Sequence, residues 1–135
     1  MANEAVLVQQ LQDRLTQVTV ADGATIEKGT ILKMSSDPNT AAASSADGDL
    51  FAGIAANEKV ANDGQTELAV WTKGVFAIKC AAGGTATLGK KVKIAGANLI
   101  DVADDDQIEN SNEVVGTALE TGGNDEVVLV RLGFS

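Results

Sequence analysis

Short apolar runs separated by turn residues recur along most of the chain. Segments such as "TIEKGTILKMS", "QTELAVWTKGVFAIKCA" and "EVVLVRLGF" alternate apolar and polar positions, as half-buried β-strands do. The turn signals "ADG", "ANDG", "AAGGT" and "TGGND" divide these runs at spacings of about eight to twelve residues. No long amphipathic helix is indicated after residue 20. The pattern predicts an all-β protein, a small β-sandwich or barrel.

The first 20 residues have a different pattern. They contain no glycine and four glutamines. Leu7, Leu11 and Leu15 are spaced as one helix face, whereas the pairs Val6/Val8 and Val18/Val20 alternate as strands do. The alternation favours an extended N-terminal arm over residues 1–20, with a strand at its end, followed by a single β domain over residues 21–135.

The two halves of that domain resemble each other. "TIEKGTILKM" is matched by "TATLGKKVKI", and "LFAGIAANEKVANDGQTELAVWTKGVF" by "EVVGTALETGGNDEVVLVRLGF". Three glycine pairs align at offsets of 60, 63 and 59 residues: Gly29 with Gly89, Gly53 with Gly116, and Gly74 with Gly133. This predicts an internal repeat, approximately 23–80 and 83–134, of two similar β-units that pack their aliphatic faces together. Chance similarity between two Gly- and Val-rich segments is the alternative.

Composition and charge narrow the function classes. Only 3% of the 135 residues are aromatic and the formal net charge is −9, so the core must be aliphatic and the surface acidic. Residues 94–135 hold nine acidic side chains and one basic one, Arg131. Such a surface disfavours duplex nucleic acid and anionic membranes as partners, and the acidic tract is interpreted as a solvated face. Glu4 lies where a signal peptide would carry positive charge, which predicts synthesis in a cytoplasm.

No recognisable catalytic set is present in the sequence. The chain has no histidine, so the commonest general base and metal ligand are missing, and Cys80 is interpreted as a small buried thiol. The order Lys28-Gly29-Thr30 does not match a phosphate-binding loop. Lys33 in "LKM" resembles the modified lysine of biotin carriers, but it lies within a predicted strand and not at a turn. A carboxylate acid/base pair stays possible, although so few aromatic residues leave little to line a sugar site. We therefore expect no enzyme activity and no cofactor.

The acidic tract "DVADDDQIEN" fails as an EF-hand loop. Counting from Asp101, position 6 is Asp106 where glycine is required, and position 12 is Asn112 where glutamate is required. A solvated loop is favoured over weak calcium binding, and no metal site is predicted. Trp71 and Phe76 flank "TKG" between two predicted strands, and they are interpreted either as packing residues or as anchors of an interface.

Several of these segments together resemble a known family. The opening "MANEAVL", the strand pair "VTVADGATIEKGTILKMSS" and the segment "DGDLFAGIAANEKVANDGQTELAVWTKGVF" are similar to those of capsid cement, or head decoration, proteins of tailed bacteriophages. The resemblance is clearest over residues 1–80. It implies a β-tulip-like fold and a structural, non-enzymatic role on the outer surface of the virion.

The resemblance also implies partners. A homotrimer at three-fold or quasi-three-fold positions would bind the major capsid protein, bridge neighbouring subunits and stabilise the shell, with neither nucleic acid nor membrane as a partner. The N-terminal arm would contact the capsid by adding a strand to it. The candidate contact residues of this arm are Asn3, Glu4, Ala5, Val6, Leu7, Val8 and Leu11. The rival interpretations are a β-rich adhesion or carbohydrate-binding module and a small carboxylate hydrolase.

Overall fold

The protein is all-β in a computed structural model that describes residues 16–103 and 113–132. No α-helix occurs within these ranges, which confirms the predicted fold class. The described ranges contain twelve strands: β1 (Thr16–Thr19), β2 (Ile31–Ser36), β3 (Thr40–Ala43), β4 (Phe51–Ala55), β5 (Glu67–Trp71), β6 (Gly74–Cys80), β7 (Thr85–Ala86), β8 (Lys91–Gly96), β9 (Leu99–Val102), β10 (Val114–Ala118), β11 (Gly122–Gly123) and β12 (Val127–Leu132).

Ten of the strands close into two five-stranded barrels. The first barrel has the strand order β1-β3-β2-β4-β5 and the second has the order β10-β12-β6-β9-β8, while β7 and β11 form a separate two-stranded sheet. Of the two predicted architectures, the barrel is therefore the one observed. Closure leaves no free sheet edge within a barrel, because β1 pairs with both β3 and β5, and β6 pairs with both β9 and β12.

The two barrels have the same topology. In each, the first strand runs parallel to the third and antiparallel to the last, and the second strand pairs with the third and the fourth. Gly29 and Gly89 occupy equivalent tight turns with φ of 92° and 82°, a conformation that glycine adopts at little cost. The bridge between Ile26 and Lys59 in the first half is the counterpart of the β7–β11 sheet in the second.

The chain passes from one barrel to the other between Trp71 and Gly74. Residues 16–20, which the sequence pattern assigned to the arm, contain β1 and supply Val18 and Val20 to the core of the first barrel. Residues 1–15 lie outside the described part of the chain, so the division into an arm and one β domain stays a prediction.

The barrels share part of their hydrophobic core. Ile31 and Ile54 of the first barrel pack with the interior of the second, whose aliphatic side chains include Val92, Ile94 and Ile100. Polar contacts also join the barrels: the amide nitrogen of Ile31 donates to Asn98 Oδ1 (2.8 Å), and Lys93 Nζ lies 2.8 Å from Asp47 Oδ1. These contacts hold the two units side by side.

Candidate docking surfaces

Trp71 and Phe76 meet at the junction of the barrels. Their ring centroids are 5.4 Å apart at an interplanar angle of 51°, and Lys28 Nζ lies 5.9 Å from the Trp71 centroid. Both rings are half-buried and pack against the shared core. They also line an open pocket of about 270 Å³ together with residues 73–75. The pair is therefore a packing element with one accessible side, and its role as an interface anchor stays a prediction.

An apolar strip covers the outward face of the β6–β12 pair. On this face lie Val75 and Ala77 of β6 and Val127 and Leu129 of β12, with Leu129 opposite Ala77. The exposed fractions of Val75, Val127 and Leu129 are 54%, 59% and 43%. We call these four residues the β6–β12 strip. Lys79 and Arg131 lie on the same outward face, opposite Val127 and Val75 respectively.

A groove of about 350 Å³ lies on the first barrel, between the ends of β1, β2, β3 and β4. Its apolar lining includes Val18, Met34, Leu50 and Ala52, and Asp37 is its charged lining residue. Met34 and Leu50 are large side chains left 47% and 41% exposed. We call this surface the β2–β4 groove. Polar residues complete its lining: Ser35, Ser36, Asn39 and Thr40.

The predicted capsid-contact residues lie outside the described part of the chain. All seven belong to residues 1–15, so the structure brings none of them into a described site. The described chain begins at Thr16, paired with Val70 inside the first barrel. Val18, two residues later, lines the β2–β4 groove.

Lys33 is a structural residue of strand β2. Its Nζ donates to Ser45 Oγ (2.9 Å) and lies 4.0 Å from Asp49 Oδ2. Burial alone would raise the pKa of Asp49, but the amides of Ser45 and Ala46 and the charge of Lys33 together hold that pKa below its usual value. The segment "TIEKGTILKM" is thus a turn and a strand, and Lys33 is held by side-chain contacts within its own barrel.

Cys80 lies in the core of the second barrel. It is fully buried, and burial, followed by the charges of Asp101 and Glu126, raises the pKa of its thiol. A raised pKa keeps the thiol protonated at neutral pH and suppresses its nucleophilicity. The position agrees with the interpretation of Cys80 as a core residue.

Lys59 is a buried cation that the sequence pattern did not indicate. Its side chain has no exposed surface, and its Nζ donates to the carbonyl oxygens of Asp22 (2.8 Å) and Val60 (2.7 Å) and to Asp63 Oδ1 (2.7 Å). The hydrogen bond from Lys59, followed by one from the amide of Gln65, lowers the pKa of Asp63. The only signal in the sequence was the spacing of Lys59 and Asp63, four residues apart.

The described ranges contain neither a cluster of metal ligands nor a membrane-spanning helix. Over residues 16–103 and 113–132, no three His, Cys, Asp or Glu side chains come together as a metal site. Residues 104–112, the part of the acidic tract that includes Asp104, Asp105 and Asp106, lie outside these ranges. The described part of the chain has no α-helix, and so no helix long and apolar enough to span a membrane.

The likeness of this chain to known proteins lies in its structure. Neither a protein-family model nor a curated protein matches the sequence. Among solved structures, the chain is similar to the head fiber gp8.5 N base of bacteriophage phi29, with a TM-score of 0.52 and 14% identity over 88% of this chain and 92% of that one. Similarity in structure at so low an identity shows a shared fold, which here spans both barrels.

Proposed function

We propose that this chain is a structural protein of a bacteriophage head. The observation that carries the proposal is the fold shared with the phi29 head fiber base across almost the whole of both chains. The resemblance of residues 1–80 to capsid cement proteins points the same way, although neither a family model nor a curated protein matches the sequence. A shared fold by itself does not establish a shared role. The proposal therefore also depends on the surfaces that this chain presents to a partner.

Within that role, we propose that it acts as a cement protein on the outer surface of the shell. It would bind the major capsid protein as a homotrimer at three-fold or quasi-three-fold positions and bridge neighbouring subunits, without catalysis. Two closed barrels joined by a common core would reach two neighbouring subunits as one unit. A homotrimer multiplies modest contacts through effective concentration.

The N-terminal arm would supply the main contact with the shell. Val6, Leu7, Val8 and Leu11 are apolar and precede β1, whose own pairing positions are already taken by β3 and β5. We propose that the arm adds a strand to the edge of a capsid sheet, which would satisfy its backbone groups there.

Deletion of residues 2–12 tests this proposal. We expect the truncated protein to fold normally, because β1 begins at Thr16, and to lose co-sedimentation with undecorated heads by tenfold or more. The full-length chain is the control. Unchanged occupancy of the truncated protein on heads would remove the arm from the mechanism, and failure of the full-length chain to bind any head would contradict the cement role itself.

The rival function is a carbohydrate-binding or adhesion module. Its support is the open pocket beside Trp71 and Phe76, since sugars stack on aromatic faces. Against it, Trp71 is already engaged by Phe76 and Lys28. A glycan array in which binding is lost with Trp71→Ala would favour the rival function, whereas an array without signal supports the structural role.

A further inference from the structure

The ladder between the first strand and the last is longer in the second barrel than in the described part of the first. In the second barrel, β6 and β12 pair at six positions, and the ladder ends at Gly74/Leu132. In the first barrel, β1 and β5 pair at four described positions, and the ladder ends at Thr16/Val70. Because the barrels have the same topology, two pairs of the longer ladder lack a counterpart among the described residues of the shorter one.

The neighbouring strand identifies these counterparts. Val70 and Val130 each lie opposite an alanine that is the last residue of the fourth strand in their barrel. The residues that follow them, Trp71 and Arg131, are therefore equivalent. Arg131 pairs with Val75 of β6, so the second barrel predicts that Trp71 pairs with the residue that precedes β1.

That residue is Leu15. Thr16 is buried and Gln17 is exposed, so the alternation of a strand that continues in the same register would place Leu15 on the outward face of the ladder. The burial pattern of β5 places Trp71 on the same outward face. Continued pairing therefore brings an aliphatic side chain against the accessible side of a half-buried aromatic ring.

The same register also brings unlike charges together. Two residues before Leu15, Asp13 falls opposite Lys73, an exposed cation in the linker between the barrels. Lys73 also lines the open pocket beside Trp71 and Phe76. Burying apolar area and pairing opposite charges across neighbouring strands both stabilise a sheet.

We propose that residues 13–15 lengthen β1 and lie along the linker between β5 and β6. We call these residues the arm root. In this position Leu15 covers Trp71, and Asp13 pairs with Lys73. The arm root of a chain takes up the accessible side of the aromatic pair in that same chain, so this surface is a seat for the arm and not a ligand pocket. The arm root also fixes where the rest of the arm leaves the molecule, at the junction of the two barrels.

A disulfide across the proposed pair tests the register. Pairs an even number of positions apart are of the same type in an antiparallel ladder, so Asp13/Lys73 should have the geometry of the observed pair Gln17/Ala69. With oxidised glutathione, D13C/K73C should form an intramolecular disulfide as fully as the positive control Q17C/A69C. The negative control L11C/K73C is displaced by two residues and should form several-fold less, because diagonal positions are too far apart for the bond.

Peptide mapping by mass spectrometry under non-reducing conditions measures the link. The native thiol of Cys80 is fully buried and does not compete. A yield for D13C/K73C no higher than for L11C/K73C would overturn the proposal. A link between two chains, seen as a dimer on a non-reducing gel, would overturn the assignment of the arm root to its own chain.

The fluorescence of Trp71 reports on the arm root without a cross-link, because it is the only tryptophan of the chain. Leu15→Asn should shift the emission maximum to longer wavelength and increase quenching by acrylamide, since the ring loses its apolar cover. Leu7→Asn, elsewhere in the arm, is the matched control and should leave both unchanged. Wild-type emission from the Leu15 variant would contradict the contact.

A charge exchange covers the case in which the Leu15 variant fails to fold. Asp13→Lys should shift the emission of Trp71 in the same direction, and the double variant D13K/K73D should restore it. Absence of recovery would contradict the pairing of Asp13 with Lys73. These measurements use isolated protein, and the deletion of residues 2–12 leaves the arm root intact, so their failure is independent of whether the full chain binds phage heads.

Discussion

At the scale of single residues, Lys59 shows how an acidic, aliphatic protein accommodates a buried cation. Three acceptors surround its ammonium group, two of them backbone carbonyls that cannot be lost by mutation. Replacing a buried ion pair by apolar residues is often harmless when both partners are removed. Here the carbonyls of Asp22 and Val60 would remain, so the replacement leaves acceptors without a donor.

We therefore expect Lys59→Met to destabilise the protein by about 2–3 kcal/mol, since loss of the donor outweighs relief from burying its charge. Urea unfolding measures this difference. Lys73→Met, at an exposed position, is the matched control and should change the free energy of unfolding by less than about 0.5 kcal/mol. Equal stability of the two variants would contradict the role assigned to Lys59.

Acid should destabilise the protein partly through Asp63. Its pKa is lower in the folded state than the ordinary value of 3.8, so the unfolded chain binds a proton more readily. The contribution of Asp63 is thus fully present above about pH 4 and is lost as the pH falls through the lowered pKa. Asp63→Asn should reduce Tm at pH 7 and flatten the dependence of Tm on pH between 5 and 2. A variant with the same pH profile as the wild type would exclude this linkage.

At the scale of elements, close approach of two strands explains a glycine shared by both repeats. A Cβ at Gly116 would collide with the carbonyl group of Arg131 on the adjacent strand β12, and a Cβ at Gly53 would lie 2.9 Å from Val70 Cγ2. Both glycines lie where the fourth strand of a barrel crosses the last, next to a register shift against the second strand. The shift and the glycine together allow the barrel to close.

Gly116→Ala should cost about 1–3 kcal/mol, because the obstacle is backbone that cannot rotate away. Gly23→Ala is the control: the nearest atom to its added Cβ is Asn62 Oδ1 at 3.9 Å, and we expect a change within about 0.5 kcal/mol. Thermal unfolding of both variants gives the comparison. If Gly116→Ala were as stable as the control, the close approach of β10 and β12 would be ruled out.

The strand positions could be predicted from the sequence where they depend on the local pattern of apolar and polar residues. Alternation in "EVVLVRLGF" predicted β12, and the paired turns at Gly29 and Gly89 predicted two units with similar hairpins. Two closed barrels could not be distinguished from a sandwich, because closure depends on the parallel pairs β1–β3 and β6–β9 between distant segments. The alternation that predicted β12 also did not show that Val127 and Leu129 lie on its exposed face, where the barrel does not need apolar side chains.

At the scale of the whole molecule, two barrels with a common core present candidate surfaces for contact with other molecules. The candidate surfaces are a strip, a groove and an aromatic junction. The strip and the groove are visible only after folding, since each combines residues from distant strands, whereas the sequence already indicated Trp71 and Phe76. Val75 and Val127 are 52 positions apart in the chain yet belong to one face. The sequence instead directed attention to residues 1–15, where the predicted capsid contacts remain a proposal.

The proposal that this chain lies on the outside of a phage head is tested by the composition and the density map of purified particles. We predict that the chain is present in a fixed ratio to the major shell subunit, with density for both barrels on the outer surface. Particles that lack the chain, or that carry it only inside the shell, would contradict the account.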